Sequence, residues 1–312
     1  MKGTRSLMIQ GLALALAAGW VLESPAAASS ADVRIVTSVK DWNFVTAPHD
    51  LDVLLQCGHA QGLACDDSGV YFSHMGGIVK FGWDGKKIAE AKVPEKYGPN
   101  PHVGDCFAYK GKVYAVVSFD AFRQPQKDTD DKEMRGMICV WNAADLKPLG
   151  GKRQKELADG CVVLDDILYT CLDLRGKNAP DGNDRVWIRR YDMDLNDLGV
   201  TEVDLGFNLY YGIQTLATDG KNIIGCCYAL KSERNPKGHN TAVLSPDLKA
   251  LRSFHVWGSE GLCKVPESVI GKTKNPYFCV TSACGGNMQG WRKDPVGNPP
   301  RLRLLLFEYK DE

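Results

Sequence analysis

The chain has 312 residues with 38 Lys and Arg and 38 Asp and Glu, so its formal net charge is zero. A neutral chain has no general electrostatic attraction to nucleic acid or to an anionic membrane surface. The 44% hydrophobic content excludes an intrinsically disordered chain, and 32 Gly and 15 Pro favour a fold with many turns over a helical bundle.

The N-terminus predicts an export signal. Lys2 and Arg5 precede an almost wholly apolar run over residues 7–22, and three Ala follow at 26–28. This order is typical of a secretory signal peptide that is cut near Ala28. A retained membrane anchor is the alternative, but the apolar run is shorter than the roughly 20 residues of a transmembrane helix. We therefore expect a removed signal at 1–28, one domain at 29–312, and a secreted or periplasmic protein without stable membrane insertion.

The 11 cysteines have to be interpreted in that compartment. Export permits disulfides, but an odd number leaves at least one thiol over. Many of these cysteines lie inside apolar runs, where Cys behaves as a small hydrophobic residue. We expect buried cysteines that are only partly paired, with Cys279 and Cys284 as one candidate pair.

A pattern of four short apolar runs separated by turns occurs five times. In the first two copies His59 matches His102 and Tyr71 matches Tyr114 without a gap, and the copies recur about 43–55 residues apart. Four strands at this spacing are typical of a β-propeller blade. The third run of each copy covers residues 78–83, 137–141, 186–191, 241–244 and 303–309.

The repeats predict an all-β fold, a five-bladed β-propeller of four-stranded antiparallel blades. The fifth copy ends at the C-terminus without its fourth strand, and the apolar run at 33–39 has no other place. We expect that run to supply the outer strand of the last blade, because pairing the two chain ends removes an open sheet edge.

The candidate site lies where the first strand of each blade begins, because these strands line the central channel. Polar side chains occupy this position in four of the five copies, and two His occur two residues earlier in neighbouring blades. Long loops at about 121–135, 173–185, 229–239 and 284–300 lie over the same mouth, which predicts a pocket. The aligned positions are Gln61, Gly104, Asp159, Gln214 and Glu260, with His59 and His102 before the first two.

Glycoside cleavage needs two carboxylates, and a lyase needs a base that removes a proton next to a carboxylate. Glu260 and Asp159 are the only carboxyl groups of the predicted ring and are the acid/base candidates. His59 and His102 are candidate bases for a lyase reaction. The predicted substrate-binding residues are Gln61, Gln214, Tyr211, Trp257, Arg175 and Trp291.

Two alternatives remain at this point. One is a divalent metal: Asp159, Glu260 and the amide oxygens suit Ca²⁺, whereas His59 and His102 with one carboxylate suit Zn²⁺. The other is a non-catalytic ligand-binding or scaffold propeller, since the fold alone implies no function.

The His59-Ala60-Gln61-Gly62 start of the first copy and the Glu260-Gly261-Leu262 start of the last resemble secreted bacterial five-bladed propellers, including glycoside-hydrolase-like families. This resemblance implies a carbohydrate-active hydrolase or lyase that acts on a small molecule or oligosaccharide, and we expect a monomer. The Glu260 step also resembles calcium-activated nucleotidases, which implies the alternative of a calcium-dependent hydrolase of phosphorylated small molecules. Gln61 and Gln214 depart from the acid-rich ring of those enzymes, and the Asp/Asp/Glu triad of arabinanase-like hydrolases is not matched.

Overall fold

The computed structural model describes fourteen stretches of the chain. They are residues 44–45, 51–54, 60–74, 76–83, 86–119, 136–154, 156–172, 183–209, 212–226, 233, 235–255, 261–272, 277–281 and 301–309.

These stretches form a β-propeller in which four sheets each contain four antiparallel strands that follow one another along the chain. Blade 1 comprises β3 (Ala60–Asp66), β4 (Gly69–His74), β5 (Gly77–Phe81) and β6 (Lys87–Lys92). Blade 2 comprises β7 (Pro101–Tyr109), β8 (Lys112–Phe119), β9 (Gly136–Asn142) and β10 (Pro148–Gln154). Blade 3 comprises β11 (Ala158–Leu164), β12 (Ile167–Leu172), β13 (Asn183–Tyr191) and β14 (Asp197–Leu209). Blade 4 comprises β15 (Thr215–Thr218), β16 (Ile223–Cys226), β17 (Thr241–Leu244) and β18 (Ala250–Phe254).

A fifth sheet contains strands from the N-terminal and C-terminal parts of the described chain. Its path is β1-β21-β20-β19, and β2 also pairs with β21. The predicted closing strand at 33–39 lies outside the described residues; the N-terminal residues that pair with β21 are those of β1 and β2. The strands are β1 (Phe44–Val45), β2 (Leu51–Leu54), β19 (Leu262–Lys264), β20 (Tyr277–Thr281) and β21 (Arg301–Tyr309).

Tight turns set the register of the blades. Between β7 and β8 both Lys110 and Gly111 have positive φ, and between β11 and β12 both Asp165 and Asp166 do. Two successive residues with positive φ form the type I′ turn, whose twist matches that of the flanking strands. These two turns join the first and second strands of blades 2 and 3, at the end of the propeller opposite the predicted mouth.

The hydrophobic core lies between neighbouring sheets. One cluster joins blade 1 to blade 2 around Trp141, and another joins blade 3 to blade 4 around Leu216. Blades 2 and 3 meet around Leu168, and blade 4 meets the fifth sheet around Phe278. The inner strands contact one another in the order β3, β7, β11, β15 and β19, and β19 contacts β3.

Two short helical turns interrupt the strands. One is a 3-10 turn at Glu95–Tyr97, and the other is α1 (Glu267–Ile270), between β19 and β20. Within the described stretches, no helix has the length and apolar character that a membrane span requires. Of the seven cysteines whose side chains the structure describes, six are buried, as the apolar runs around them predict.

Candidate functional site at the channel mouth

The structure places the four described members of the predicted ring, Gln61, Gly104, Asp159 and Gln214, at or next to the start of four inner strands. Gln61 and Asp159 both occupy β-bulges near the start of their strands, in β3 and β11. Gln214 precedes β15 directly, and its backbone N–H donates to the carbonyl oxygen of Cys226 at 2.9 Å. The Gln61 and Gln214 side chains are half-buried, whereas Asp159 is 5% exposed.

Contacts at the glycines show which blade starts lie side by side. A Cβ atom at Gly104 would lie 2.7 Å from the carbonyl oxygen of Asp159, and a Cβ atom at Gly160 would lie 3.3 Å from that of Gln214. The starts of blades 2, 3 and 4 are therefore in direct backbone contact. Only glycine allows such an approach without displacement of the neighbouring strand.

His102 lies in β7 of blade 2 and is 4% exposed. Its carbonyl oxygen accepts a hydrogen bond from the Ser118 hydroxyl at 3.4 Å. His102 is therefore a buried residue near the start of blade 2. Six predicted site residues lie outside the described part of the chain, so their distances to the ring are not defined: His59, Arg175, Tyr211, Trp257, Glu260 and Trp291.

The sequence analysis missed an inner-strand residue that contacts three other blades. Asp105 is fully buried, and its carboxyl oxygen Oδ2 accepts backbone N–H groups from two other blades. The donors are Cys161 of β11 at 3.3 Å and Leu216 of β15 at 2.8 Å. One side chain of blade 2 therefore joins blades 3 and 4 at the centre of the propeller.

Burial raises the pKa of the Asp105 carboxyl well above its ordinary value, because the charged form loses its hydration. The backbone N–H groups of Leu216 and Cys161 act in the opposite direction, since they favour the carboxylate. The same burial raises the pKa of the Cys161 thiol, whose Sγ donates to the Asp105 carbonyl oxygen at 3.5 Å. Neither thiol nor carboxyl is therefore in contact with solvent at this level.

Asp105 fits because the other blades have small residues at its position. A Cβ atom at Gly62 would lie 2.5 Å from the Asp105 Cα and 2.6 Å from its Oδ1, and one at Gly261 would lie 2.5 Å from the Leu63 Cβ. Asp105 therefore lies against Gly62 of blade 1 as well as Cys161 of blade 3 and Leu216 of blade 4. The sequence signal was present: the residues after the predicted ring positions are Gly62, Asp105, Gly160, Thr215 and Gly261.

The metal alternative gains no support from the described residues. Among them, no three His, Cys, Asp or Glu side chains are grouped closely enough to hold an ion. Asp159 is the only carboxyl group that they place at a ring position, and the amide oxygens of Gln61 and Gln214 are the remaining hard donors. A metal at the mouth would therefore depend on Glu260 or His59, which lie outside the described stretches.

Comparisons with known proteins show the fold. No protein-family model matches the chain, and no curated protein matches it in sequence. The structure of Myxococcus xanthus glutaminyl cyclase superposes with a TM-score of 0.52 and 11% identity, covering 85% of this chain and 97% of that one. A calcium-binding regucalcin from Agrobacterium tumefaciens gives a TM-score of 0.41 and 14% identity, covering 81% and 77% of the two chains. A luciferin-regenerating enzyme gives 0.43 and 14%, covering 80% and 76%. The similarity to the glutaminyl cyclase, at 11% identity, supports the all-β propeller fold alone.

Proposed function

We propose that this protein is an exported enzyme that binds a sugar-containing small molecule or oligosaccharide at the mouth and cleaves it as a hydrolase or lyase. The observation that supports the proposal is the alignment of the blade starts. Gln61, Asp159 and Gln214 lie at equivalent positions near the start of the inner strands of three blades. Half-buried amides next to a buried carboxyl offer both donors and acceptors, which are what sugar hydroxyls require.

We further propose that the fifth sheet is a fifth blade and that the N-terminal segment closes it. The contact of β19 with both β15 and β3 supports this arrangement, because it completes a circuit of inner strands. The antiparallel pairing of β1 and β2 with β21 supports closure, because it joins residues from both chain ends in one sheet. The circuit would bring Glu260, which directly precedes Gly261, to the same mouth as Asp159.

In the hydrolase form of the proposal, Asp159 and Glu260 share the acid and base roles, with one protonated and the other ionised. Their separation in a substrate complex would select the outcome: about 5–5.5 Å for retention of configuration and about 6.5–9.5 Å for inversion. In the lyase form, His102 or His59 removes the proton next to a sugar carboxylate. Gln61 and Gln214 bind hydroxyls in either form.

The test is a combined binding and activity screen of the purified protein. Neutral oligosaccharides, uronic-acid oligosaccharides and phosphorylated sugars are added in turn, and thermal unfolding and product formation are measured. A ligand that binds only the folded protein raises its apparent melting temperature. We expect the Asp159→Asn and Glu260→Gln variants to lose at least 100-fold in activity on the substrate found. Asp145→Asn is the matched control, because it makes the same chemical change in an exposed turn of blade 2.

Each other outcome has a defined meaning. Stabilisation by a saccharide without turnover supports the non-catalytic alternative. Turnover that survives both substitutions shows that the active site does not lie at the mouth. A peptide with N-terminal glutamine is included because the Myxococcus xanthus protein shares the fold. Its turnover, with none of the saccharides, would contradict the proposal.

The proposed export and cleavage of the signal peptide can be tested by the mass of the mature protein. The mass of the protein recovered from outside the cytoplasm of an expressing bacterium should lack residues 1–28. Recovery of the intact N-terminus, or retention in the membrane fraction, would contradict cleavage near Ala28.

A further inference from the structure

A second set of reactive side chains lies on the rim between blades 3 and 4. The imidazole Nδ1 of His239 lies 2.8 Å from the hydroxyl oxygen of Ser253. His239 comes two residues before β17, and Ser253 lies in the neighbouring strand β18, opposite Ala242. Both side chains are half-buried, so part of each residue is exposed to solvent. None of the roles assigned to the mouth involves this pair.

The surrounding residues hold His239 in a fixed position. Its backbone N–H donates to the Asn235 side-chain oxygen at 2.8 Å, and its carbonyl oxygen accepts from the Asn235 amide at 2.7 Å. The same amide donates to the carbonyl oxygen of Asn208 at 2.9 Å, which ties the loop to blade 3. The ring of Phe207 meets the imidazole edge-on, with centroids 6.2 Å apart. Such support is what a catalytic side chain needs to keep its orientation.

The charge state of His239 suits a general base. Burial lowers the pKa of its imidazole below the ordinary value, and the charges of Lys237 and His255 lower it further. His255 is itself held, with its Nδ1 at 2.9 Å from the Gly238 carbonyl oxygen. A neutral imidazole that carries its proton on Nε2 presents the Nδ1 lone pair to Ser253, and a general base must have such a lone pair near neutral pH.

We propose that Ser253 and His239 form a nucleophile and base pair that acts on small esters. Ser253 Oγ attacks the ester carbonyl carbon while its proton moves to His239 Nδ1. The tetrahedral intermediate collapses as the bond to the alcohol oxygen breaks, and the departing alkoxide takes the proton from His239. Water then attacks the acyl-serine by the same route and restores the serine hydroxyl.

The experiment uses a fluorophosphonate probe and p-nitrophenyl acetate with the full protein. In the probe reaction an Oγ–P bond forms, the P–F bond breaks, fluoride leaves and the serine proton passes to His239. We expect one covalent adduct on the peptide that contains Ser253. Ser253→Ala should abolish the adduct, and His239→Gln should slow its formation at least tenfold. Ser245→Ala is the matched control: this serine bonds within the turn that joins β17 to β18 at the opposite end.

Two results would overturn the proposal: no adduct on Ser253 in protein that unfolds cooperatively, or labelling that is as fast in His239→Gln. The pH dependence of the unsubstituted protein provides a second readout that needs no variant. Labelling by a neutral imidazole should be level between pH 7 and 8 and should fall only below about 6.5, the ordinary imidazole value. A rate that keeps rising about tenfold per pH unit through pH 8 would show hydroxide-dependent attack without His239, and would also overturn the assignment.

Discussion

Asp105 is the residue on which the packing of the axis depends. Its carboxyl is fully buried and accepts backbone N–H groups from two neighbouring blades. A buried donor that loses its acceptor costs about 1–3 kcal/mol, so the two N–H groups make this position sensitive to truncation. The carboxyl has a structural role between the inner strands and is separate from the residues to which we assign chemistry.

Substitution of Asp105 tests this role. Asp105→Ala should lower the free energy of unfolding by about 2–5 kcal/mol, because two buried N–H groups lose their acceptor and a cavity is left. Asp105→Asn should lose much less, since the amide oxygen can accept both bonds. Urea unfolding followed by circular dichroism measures both values. Equal losses in the two variants would show that the hydrogen bonds do not matter.

The raised pKa of Asp105 predicts a pH dependence with a definite sign. The folded protein holds this proton more tightly than the unfolded chain, so stability from this group is greatest below the ordinary Asp value of about 4. It declines as pH rises from there through the pKa of the folded state. The unfolding free energy of the unsubstituted protein should therefore fall relative to that of Asp105→Asn between pH 4.5 and 8. Parallel pH curves for the two proteins would contradict the prediction.

At the scale of the elements, close contact between inner strands requires glycine next to the bulges. Gly62→Ala would place a methyl group 2.5 Å from the Asp105 Cα, so β3 and β7 would have to separate. We expect a loss of about 1–3 kcal/mol in unfolding free energy. Gly76→Ala is the control, because its nearest neighbour lies 4.0 Å away. Thermal unfolding that affects both variants alike would show that strand contact at Gly62 is not the cause.

The apolar runs predicted the strands well, because side-chain alternation and turn residues are local properties. The run at 241–244 coincides with β17, and that at 137–141 lies within β9. The site was predicted less completely. Repeat alignment placed Gln61, Asp159 and Gln214 at equivalent blade-start positions. It did not identify Asp105, which follows the aligned position of blade 2 by one residue. Its role depends on contacts with Cys161 and Leu216, and no local pattern reveals such distant partners.

At the scale of the molecule, strands that are distant in sequence pair in the fifth sheet. Val53 in β2 pairs with Leu302 of β21, and Asp52 pairs with Arg303. Proline lacks the N–H group of the ladder, and alternate residues of an antiparallel pair form its hydrogen bonds. One of the two variants Asp52→Pro and Val53→Pro should therefore lower the melting temperature by several degrees, whereas the other should have a smaller effect. Melting temperatures equal to that of the unsubstituted protein in both variants would show that this pairing does not stabilise the propeller.

The bond between Asp105 and Leu216 spans 111 positions of the chain, and that between Asp105 and Cys161 spans 56. On the ribosome, Asp105 emerges well before Cys161 and Leu216, whose N–H groups donate to its carboxyl, since synthesis adds only about 5–20 residues per second. A fragment that stops short of residue 216 lacks the Leu216 N–H donor to this carboxyl. The full set of bonds at Asp105 can therefore form only when the inner strands of blades 2, 3 and 4 are all present.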